Sequence, residues 1–486
     1  MSQPSQAPSS VLSHFRLIFI VVVAAYFMDV IDASIVTTAL PAIRVQFGAS
    51  IADSQWIYGA YAITTAGFLL LMGRAGDAYG QKKVFIPGLV LFIISSFTAG
   101  FAQSLLSMVI SRAVQGIGAA MTTVTAFAIF IELFPEGPQR NRAFGYITAI
   151  LSGGFAVGAF TGGVLTTFVG WRWVMFVNVP IGIVVTLLAQ RFLPGDSGRL
   201  QSRHLDVPGA LTVTSGTILF VYGLTNAAGL GFGSVLTVAP LLTAAALLGA
   251  FLFIESRSKA PLMPLSFVRR GSVLTANALA LVITSVMGGI GFILPVYFQN
   301  ILGYSAFYSG LLTLPPALVF LFVGGWGAAP VLNRIGARRT IMISTALVAL
   351  GALLLTPLSP NGSYFVLLPG LLVWALGASV GMPAMNVAAV AGTQPGEEGL
   401  ASGIVNTSFR VGFPVGLAVL LTVAGAFDPP PASPATSSAV VAGVVAGFQV
   451  AMVGAALLAV LAFAISLRLK DAKPPWGQSP VQAPAP

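Results

Sequence analysis

From residue 15 to residue 467 the chain is a near-continuous series of long apolar runs, most of them close to or above the ~20 residues that carry a helix across a ~30 Å hydrocarbon core. No water is available at that depth to bond free backbone groups, so each run must close its hydrogen bonds internally, as a helix. The composition agrees: 56% hydrophobic residues, 7% charged residues and a mean hydropathy of +0.93 exclude a soluble globular domain of this size. Fourteen spans are expected, over residues 15–40, 54–72, 84–101, 104–133, 143–168, 173–193, 207–226, 234–254, 273–298, 305–328, 340–358, 364–390, 400–426 and 440–467. The short polar leader has no small-residue cleavage site and the first span holds two aspartates, so that span is expected to be retained.

Net charge is +10, but the placement of the cations argues for topology rather than nucleic-acid binding. Of 23 Lys and Arg, 19 fall in or at the edges of the leader, alternate loops and the tail. Only Arg44 and Arg172 lie on the opposite side, and Arg112 and Arg410 fall inside spans. The positive-inside rule therefore predicts a multi-pass protein of the cell membrane with both termini in the cytoplasm. Absence of cysteine removes disulfides and thiolate chemistry, and the only histidines, His14 and His204, lie in the leader and a loop. A proton carrier inside the membrane must then be a carboxylate. No GxxxxGK[ST] loop occurs, so ATP is not the expected energy source, and neither enzymatic activity nor a metal site nor an organic cofactor is expected.

Two loops echo each other. Residues 73–83 read GRAGDAYGQKK and residues 329–339 read APVLNRIGARR, an offset of 256 (from 83 to 339). Gly80 meets Gly336, Lys82 and Lys83 meet Arg338 and Arg339, and Asp77 meets Asn333. Each loop falls between the second and third spans of a set of six, once the uncharged spans 7 and 8 are set aside. The expected organisation is a leader (1–14), a six-helix lobe (15–193), two extra helices (207–254), a second six-helix lobe (273–467) and a Pro-rich cytoplasmic tail (468–486), in an all-α membrane protein built on an internal repeat.

Four segments make a resemblance specific. IDASIVTTALP (31–41), GRAGDAYGQKK (73–83), SRAVQGIGAA (111–120) and WRWVMFVNVPIG (171–182) resemble, in order and in the corresponding spans, the signatures of the fourteen-span drug:proton antiporters of the major facilitator superfamily. The resemblance implies the major facilitator fold, alternating access and proton-driven efflux of drugs or antibiotics. It places Asp32 and Arg112 at functional positions, makes Gly73, Arg74, Asp77, Gly80, Lys82 and Lys83 a gating loop with Asn333, Gly336, Arg338 and Arg339 as its second copy, and makes Gly154, Gly158, Gly162 and Gly163 of span 5 an antiporter motif. One departure is Ala159, where the family usually carries proline. The alternatives are an importer or symporter for a metabolite and a membrane sensor that transports nothing.

The residues support this independently. Ionisable groups at membrane depth are costly and are usually kept for a task. Asp29 and Asp32 are three residues apart, about 60° around a helix and so on one face. Asp32 lies roughly 13 Å along its span from the Pro41 end and Arg112 roughly 12 Å from the Ser104 end, so the depths match and the two are expected to meet. The same Gly154, Gly158 and Gly162 also form a smooth four-residue ridge that lets a neighbouring helix approach closely. Asp77 is expected to face a helix N-terminus and basic partners, with the second copy, Asn333, weaker.

Between Glu255 and Glu397 there is no acidic residue, so the second half offers a substrate aromatic and amide groups instead. Candidate contacts are Gln115, Asn277, Phe292, Tyr297, Gln299, Trp326, Asn386, Asn406, Phe409 and Arg410. Such groups suit a large, lipophilic, neutral or weakly charged molecule. Arg410 favours an anionic group, whereas a cation would meet Asp29 or Asp32 in competition with protons. The partners expected are therefore a lipophilic small molecule, protons and membrane lipid, with no nucleic acid, and the protein is expected to act as a monomer.

Overall fold

The structure is a computed structural model that describes residues 9–133, 153–154, 157–195, 206–258, 265–268, 270–391, 393, 398–427 and 437–469. Most of the tail, the 428–436 loop and the first part of span 5 lie outside these residues. Every regular element described is helical. In chain order they are α1 (Ser9–Phe47), α2 (Ile51–Tyr79), α3 (Gln81–Gly100), α4 (Leu105–Leu133), α5 (Val157–Phe168), α6 (Arg172–Phe176), α7 (Asn178–Phe192), α8 (Val207–Leu230) and α9 (Val235–Arg257). They continue as α10 (Leu265–Val268), α11 (Gly271–Val296), α12 (Ala306–Leu312), α13 (Leu314–Val319), α14 (Ala328–Leu354), α15 (Tyr364–Val390), α16 (Glu398–Gly425) and α17 (Ser437–Ser466). Two π-helical stretches, Tyr297–Ile301 and Phe320–Gly327, extend α11 and join α13 to α14.

Ten of the described helices are long and apolar enough to cross a membrane, or 11 if the bent α2 counts as one broken span. The difference from the expected fourteen has identifiable sources. The run Ala306–Leu354 counts once although it is 49 residues long, which at ~1.5 Å per residue is more than twice a ~30 Å core. It is two helices joined by a kink at Gly336, whose φ of 81° and ψ of 164° are non-helical. Span 5 is described as a helix only over Val157–Phe168, and the Gly- and Thr-rich α8 is a 24-residue helix outside the apolar set.

Packing repeats from one end of the chain to the other. In the first group α3 packs on α4 and α7, α2 on α4, and α1 on α4 and α7; in the second α14 packs on α15 and α17, α13 on α15, and α11 on α15 and α17. Helices α8 and α9 form a pair, with α8 also against α2 and α16. One core cluster joins α1, α3, α4 and α7 through Val22, Phe85, Leu89, Phe92, Phe130 and Val185. A larger one runs from Ile35, Leu40 and Ile57 into α11, α14, α15, α16 and α17.

The echoed loops share a backbone geometry. Gly80 has φ 110° and Gly336 φ 81°, a region that side-chain-bearing residues rarely occupy. Lys82 Nζ donates to the carbonyls of Gln190 (2.9 Å) and Leu193 (2.6 Å) at the end of α7. At the aligned position Arg338 Nη2 donates to the carbonyl of Leu467 (3.3 Å), just past α17. In both halves a cation of the loop therefore satisfies carbonyls that a helix C-terminus leaves open.

Helices of the two groups meet near the C-terminal end of α1. Gln299 Nε2 donates to Thr38 O (3.0 Å) and Phe307 N to Thr167 Oγ1 (2.9 Å). A Cβ on Gly163 would lie 2.6 Å from Ala306 O, and one on Gly310 2.7 Å from Ala159 O. Small residues on both sides thus set a backbone-to-backbone approach there. A shallow cleft beside it is lined by Pro41, Val45, Thr166, Gln299, Asn300 and Tyr304 among others; none of the buried ionisable groups lines it.

Candidate functional site

Asp32 and Arg112, expected to meet from their matching depths, form an ion pair with both side chains fully buried, Nη1 to Oδ2 at 2.6 Å. Three further polar groups complete it. Gln115, one turn on from Arg112, accepts from Arg112 Nη1 (2.6 Å) and donates through Nε2 to Asp32 Oδ1 (3.0 Å). Asn178 Nδ2 donates to the same Oδ1 (2.6 Å) and to Ser96 Oγ (3.1 Å), and Ser96 donates to Met175 O (2.8 Å). Arg112 Nε reaches Ile57 O (3.3 Å), and the guanidinium lies 4.1 Å from the centre of the Tyr61 ring. Five helices, α1, α2, α3, α4 and α7, therefore converge on one carboxylate. Arg112 Nη2 and Asn178 Oδ1 stay buried without a hydrogen-bond partner among the described residues, so the cluster keeps one spare donor and one spare acceptor.

Asp29, one turn earlier on the same face, has a different partner. Its Oδ2 pairs with Arg410 Nη2 of α16 at 3.0 Å and accepts from Thr123 Oγ1 (3.3 Å), while Tyr61 OH donates to Oδ1. Tyr61 thus touches both clusters, beneath the Arg112 guanidinium and against the Asp29 carboxylate. Both clusters have the chemistry of exchangeable counterions. A proton that lands on either carboxylate removes the charge that holds an arginine in place.

In the first of the echoed loops Gln81 Nε2, on the first residue of α3, donates to Asp77 Oδ1 (3.1 Å). Although part of the side chain reaches solvent, desolvation raises the Asp77 carboxyl above its ordinary value, against the opposing effects of Arg74 and of the Gln81 hydrogen bond. Asp77 therefore meets a helix N-terminus through a side chain, with Arg74 as its nearby cation. Gly73 and Gly76 are helical, within α2, Lys83 and Arg339 are on the loops' flanks, and Asn333 is exposed on the first turns of α14.

The span 5 glycines lie against α1. A Cβ on Gly154 would contact Phe27 and Val30; on Gly158 it would fall 1.9 Å from Ser34 Oγ and 2.8 Å from Ile31 O; on Gly162, 2.7 Å from Ile35 O. Gly163 turns the other way, to Ala306 and Phe307. The ridge thus seats α5 on the helix that carries both aspartates. Ala159, where proline was the expectation, is buried with its carbonyl against Gly310.

Of the substrate candidates, the structure brings Gln115 to Asp32 and Arg410 to Asp29. The others have different surroundings. Asn277 bonds Val273 O (2.8 Å) and Ser408 Oγ (2.6 Å) in a clasp between α11 and α16. Phe292 and Phe409 are core residues, and buried Tyr297 donates to Ser359 O (2.7 Å). Gln299 ties α11 to α1, Asn386 bonds Met382 O within its own helix, Asn406 is half-buried on α16, and Trp326 is 61% exposed beside Phe322. The residues that sequence reasoning passed over are Asn178, Ser96, Tyr61 and Thr123. Asn178 stands inside the WRWVMFVNVPIG segment; for the other three the sequence carries no signal beyond a polar side chain within an apolar run. Trp171 and Arg172 of that segment bond Gln46 at the end of α1 (2.5 and 2.9 Å), which ties the segment to the helix that carries Asp32.

Comparison with known proteins agrees with this architecture. The chain is 36% identical over 438 residues to the cephamycin export protein CmcT of Amycolatopsis lactamdurans, covering 89% of this chain and 90% of that protein. It is 35% identical to the puromycin resistance protein pur8 of Streptomyces alboniger (83% and 81% covered) and 31% identical to the multidrug resistance protein Stp of Mycobacterium tuberculosis strain CDC 1551 / Oshkosh (82% and 74%). Among solved structures, the human organic anion transporter MFSD10 (TETRAN) shares the fold with a TM-score of 0.64 at 16% identity, over 95% of this chain and all of that one. The model of the Major Facilitator Superfamily matches residues 22–417, and the chain belongs to that family.

Proposed function

We propose that the protein is a proton-coupled efflux antiporter that exports lipophilic drugs or antibiotics by alternating access across the cell membrane. The observation that carries the proposal is the fully buried Asp32–Arg112 pair with its Gln115 and Asn178 amides. A buried carboxylate whose counterion comes from another helix can exchange that counterion for a proton and so alter how the helices pack. The relatives named for export of, or resistance to, antibiotics supply the direction and the substrate class. In this reading helices α1–α7 and α11–α17 are two lobes with α8 and α9 between them, and the termini are cytoplasmic. The contacts at Thr38, Gln299, Thr167 and Phe307 then close the outer side.

The test is transport in proteoliposomes of a panel of lipophilic cations, neutral antibiotics and anions, with an imposed pH gradient and a collapsed-gradient control. Movement that follows the proton gradient, outward against inward protons, supports antiport. Movement with the protons identifies a symporter, and binding without flux identifies a sensor.

A further inference from the structure

Helix α8 lies against both helix groups, on α2 of the first and on α16 of the second. We infer that α8 and α9 are a fixed part of the first group, that α16 moves over α8 when the groups part, and that the contact of Leu224 with Thr422 is a tie this movement must break. The inference rests on the alternating-access reading and adds to it a mechanical role for the two extra helices.

The joint with α2 is built to stay. Thr214 Oγ1 of α8 donates to the carbonyl of Gly67 (2.7 Å), and the bond is buried. A Cβ on Gly67 would lie 2.9 Å from Ile218 and 3.4 Å from Thr214 O, so the helices approach this closely because that side chain is missing. Toward one end of the joint Leu71 of α2 packs with Ala210 and Val213 of α8 and Phe251 of α9; toward the other the ring of Trp56 lies 5.3 Å from that of Tyr222. From Trp56 to Leu71 α2 rises roughly 22 Å, so the antiparallel joint runs through most of a ~30 Å core. Helix α9 is held to α8 in the same manner. A Cβ on Gly216 would lie 3.0 Å from Leu248, one on Gly223 2.8 Å from Leu241, and Asn226 Nδ2 donates to Leu236 O (3.0 Å).

Helix α16 is committed elsewhere. Its close-fitting glycines face α11, where a Cβ on Gly412 would fall 2.4 Å from Leu281 O and one on Gly416 1.9 Å from Ser285 O, and Ser285 Oγ donates to Gly412 O (2.9 Å). Toward α8 it turns Thr422, whose hydroxyl is shared between Leu224 O at 3.3 Å and Ala418 O of its own helix at 2.7 Å. Giving up Leu224 leaves that hydroxyl bonded within α16, so this tie opens without stranding a buried polar group. Parting α8 from α2 would instead take Thr214 from its acceptor and undo a fit made at backbone level. Leu224 lies two residues past Tyr222 and so beside the start of α2, at the end of the molecule where Gln299 meets Thr38. Its tie therefore opens together with that junction.

The chain has no cysteine, so introduced pairs report without background. Bridging Trp56→Cys/Tyr222→Cys with a short reducible bifunctional thiol reagent should leave the efflux of the panel compounds at the unbridged rate. The same bridge across Leu224→Cys/Thr422→Cys should stop efflux, with recovery on reduction. Gly67→Cys/Thr214→Cys, with Ile218→Ala to make room, is the second α2–α8 pair in case removal of both rings unsettles the fold. Spin labels give a readout that needs no flux. From Phe232→Cys, exposed in the turn between α8 and α9, the distance to Val45→Cys at the end of α1 should be the same at acid and alkaline pH, and the distance to Phe427→Cys beyond α16 should differ by several ångströms. Loss of efflux on bridging α8 to α2, full efflux with α8 bridged to α16, a shifting distance to Val45→Cys or a constant distance to Phe427→Cys overturns the inference. Full efflux with either bridge leaves the exporter reading standing. Label distances that behave as expected in a protein that moves no compound remove the exporter reading and keep the assignment of α8 and α9.

Discussion

Asp32 is a carboxylate with no exposed surface in this conformation and with an arginine equally buried beside it. Removing one member of such a pair leaves a desolvated charge, a loss of about 3–5 kcal/mol, whereas removing both is far less damaging. Asp32→Asn should therefore lower the melting temperature of the purified protein, and Asp32→Asn/Arg112→Met should recover most of that loss, while neither supports gradient-driven efflux. Normal efflux from Asp32→Asn would take this residue out of the coupling mechanism. The pairing was legible in the sequence because two lone charges at equal depth in neighbouring spans have few other partners. Asn178 was half legible: its segment stood out, but not the contact, since that depends on how α7 packs against α1. The Asp29–Arg410 contact was not legible. It crosses between helix groups and depends on how they dock, and spacing within either group says nothing about docking.

At the scale of the element, the basic residues of the echoed loops do more than mark a membrane side. Lys82 bonds two open carbonyls at the end of α7, where a cation also favours the negative end of the helix dipole; such contacts are worth about 0.3–1 kcal/mol and up to ~2 in partly buried sites. Lys82→Met should cost about 1 kcal/mol of stability in a denaturation measurement, whereas Lys83→Gln at an exposed position should stay within about 0.5 kcal/mol. Equal losses from the two substitutions would contradict the capping role. The glycine ridge gives a sharper contrast. A Cβ at Gly158 would fall on Ser34 and on the backbone carbonyl of Ile31, while one at Gly249 of α9 meets nothing within 4 Å. Gly158→Ala should separate α5 from α1 and reduce both thermal stability and efflux, and Ser34→Ala should not rescue it because the carbonyl remains; Gly249→Ala should leave both unchanged. The helices and the loop repeat followed from hydropathy and spacing. The π-helical stretches at Tyr297–Ile301 and Phe320–Gly327 did not, because an apolar run carries no signal that separates a wider helical turn from a plain α-helix.

On the scale of the whole molecule, alternating access requires that the contact between the helix groups near the end of α1 be temporary. The chain contains no cysteine, so a single introduced pair can test this without background. The Phe307 N to Thr167 Oγ1 hydrogen bond of 2.9 Å limits the separation of the two Cα atoms to about 7 Å by covalent geometry, at the upper edge of what a disulfide spans. Thr167→Cys/Phe307→Cys should therefore form a crosslink under oxidising conditions or accept a short bifunctional thiol reagent. Because the tie joins α5 to α12 on the side opposite the echoed loops, a protein held there can admit substrate from one side only. Proton-driven efflux should stop on crosslinking and return on reduction, while binding of substrate to the purified, crosslinked protein persists. Efflux that continues at full rate through a complete crosslink would mean that this end never opens, and the path of the substrate would then have to run elsewhere between the helices.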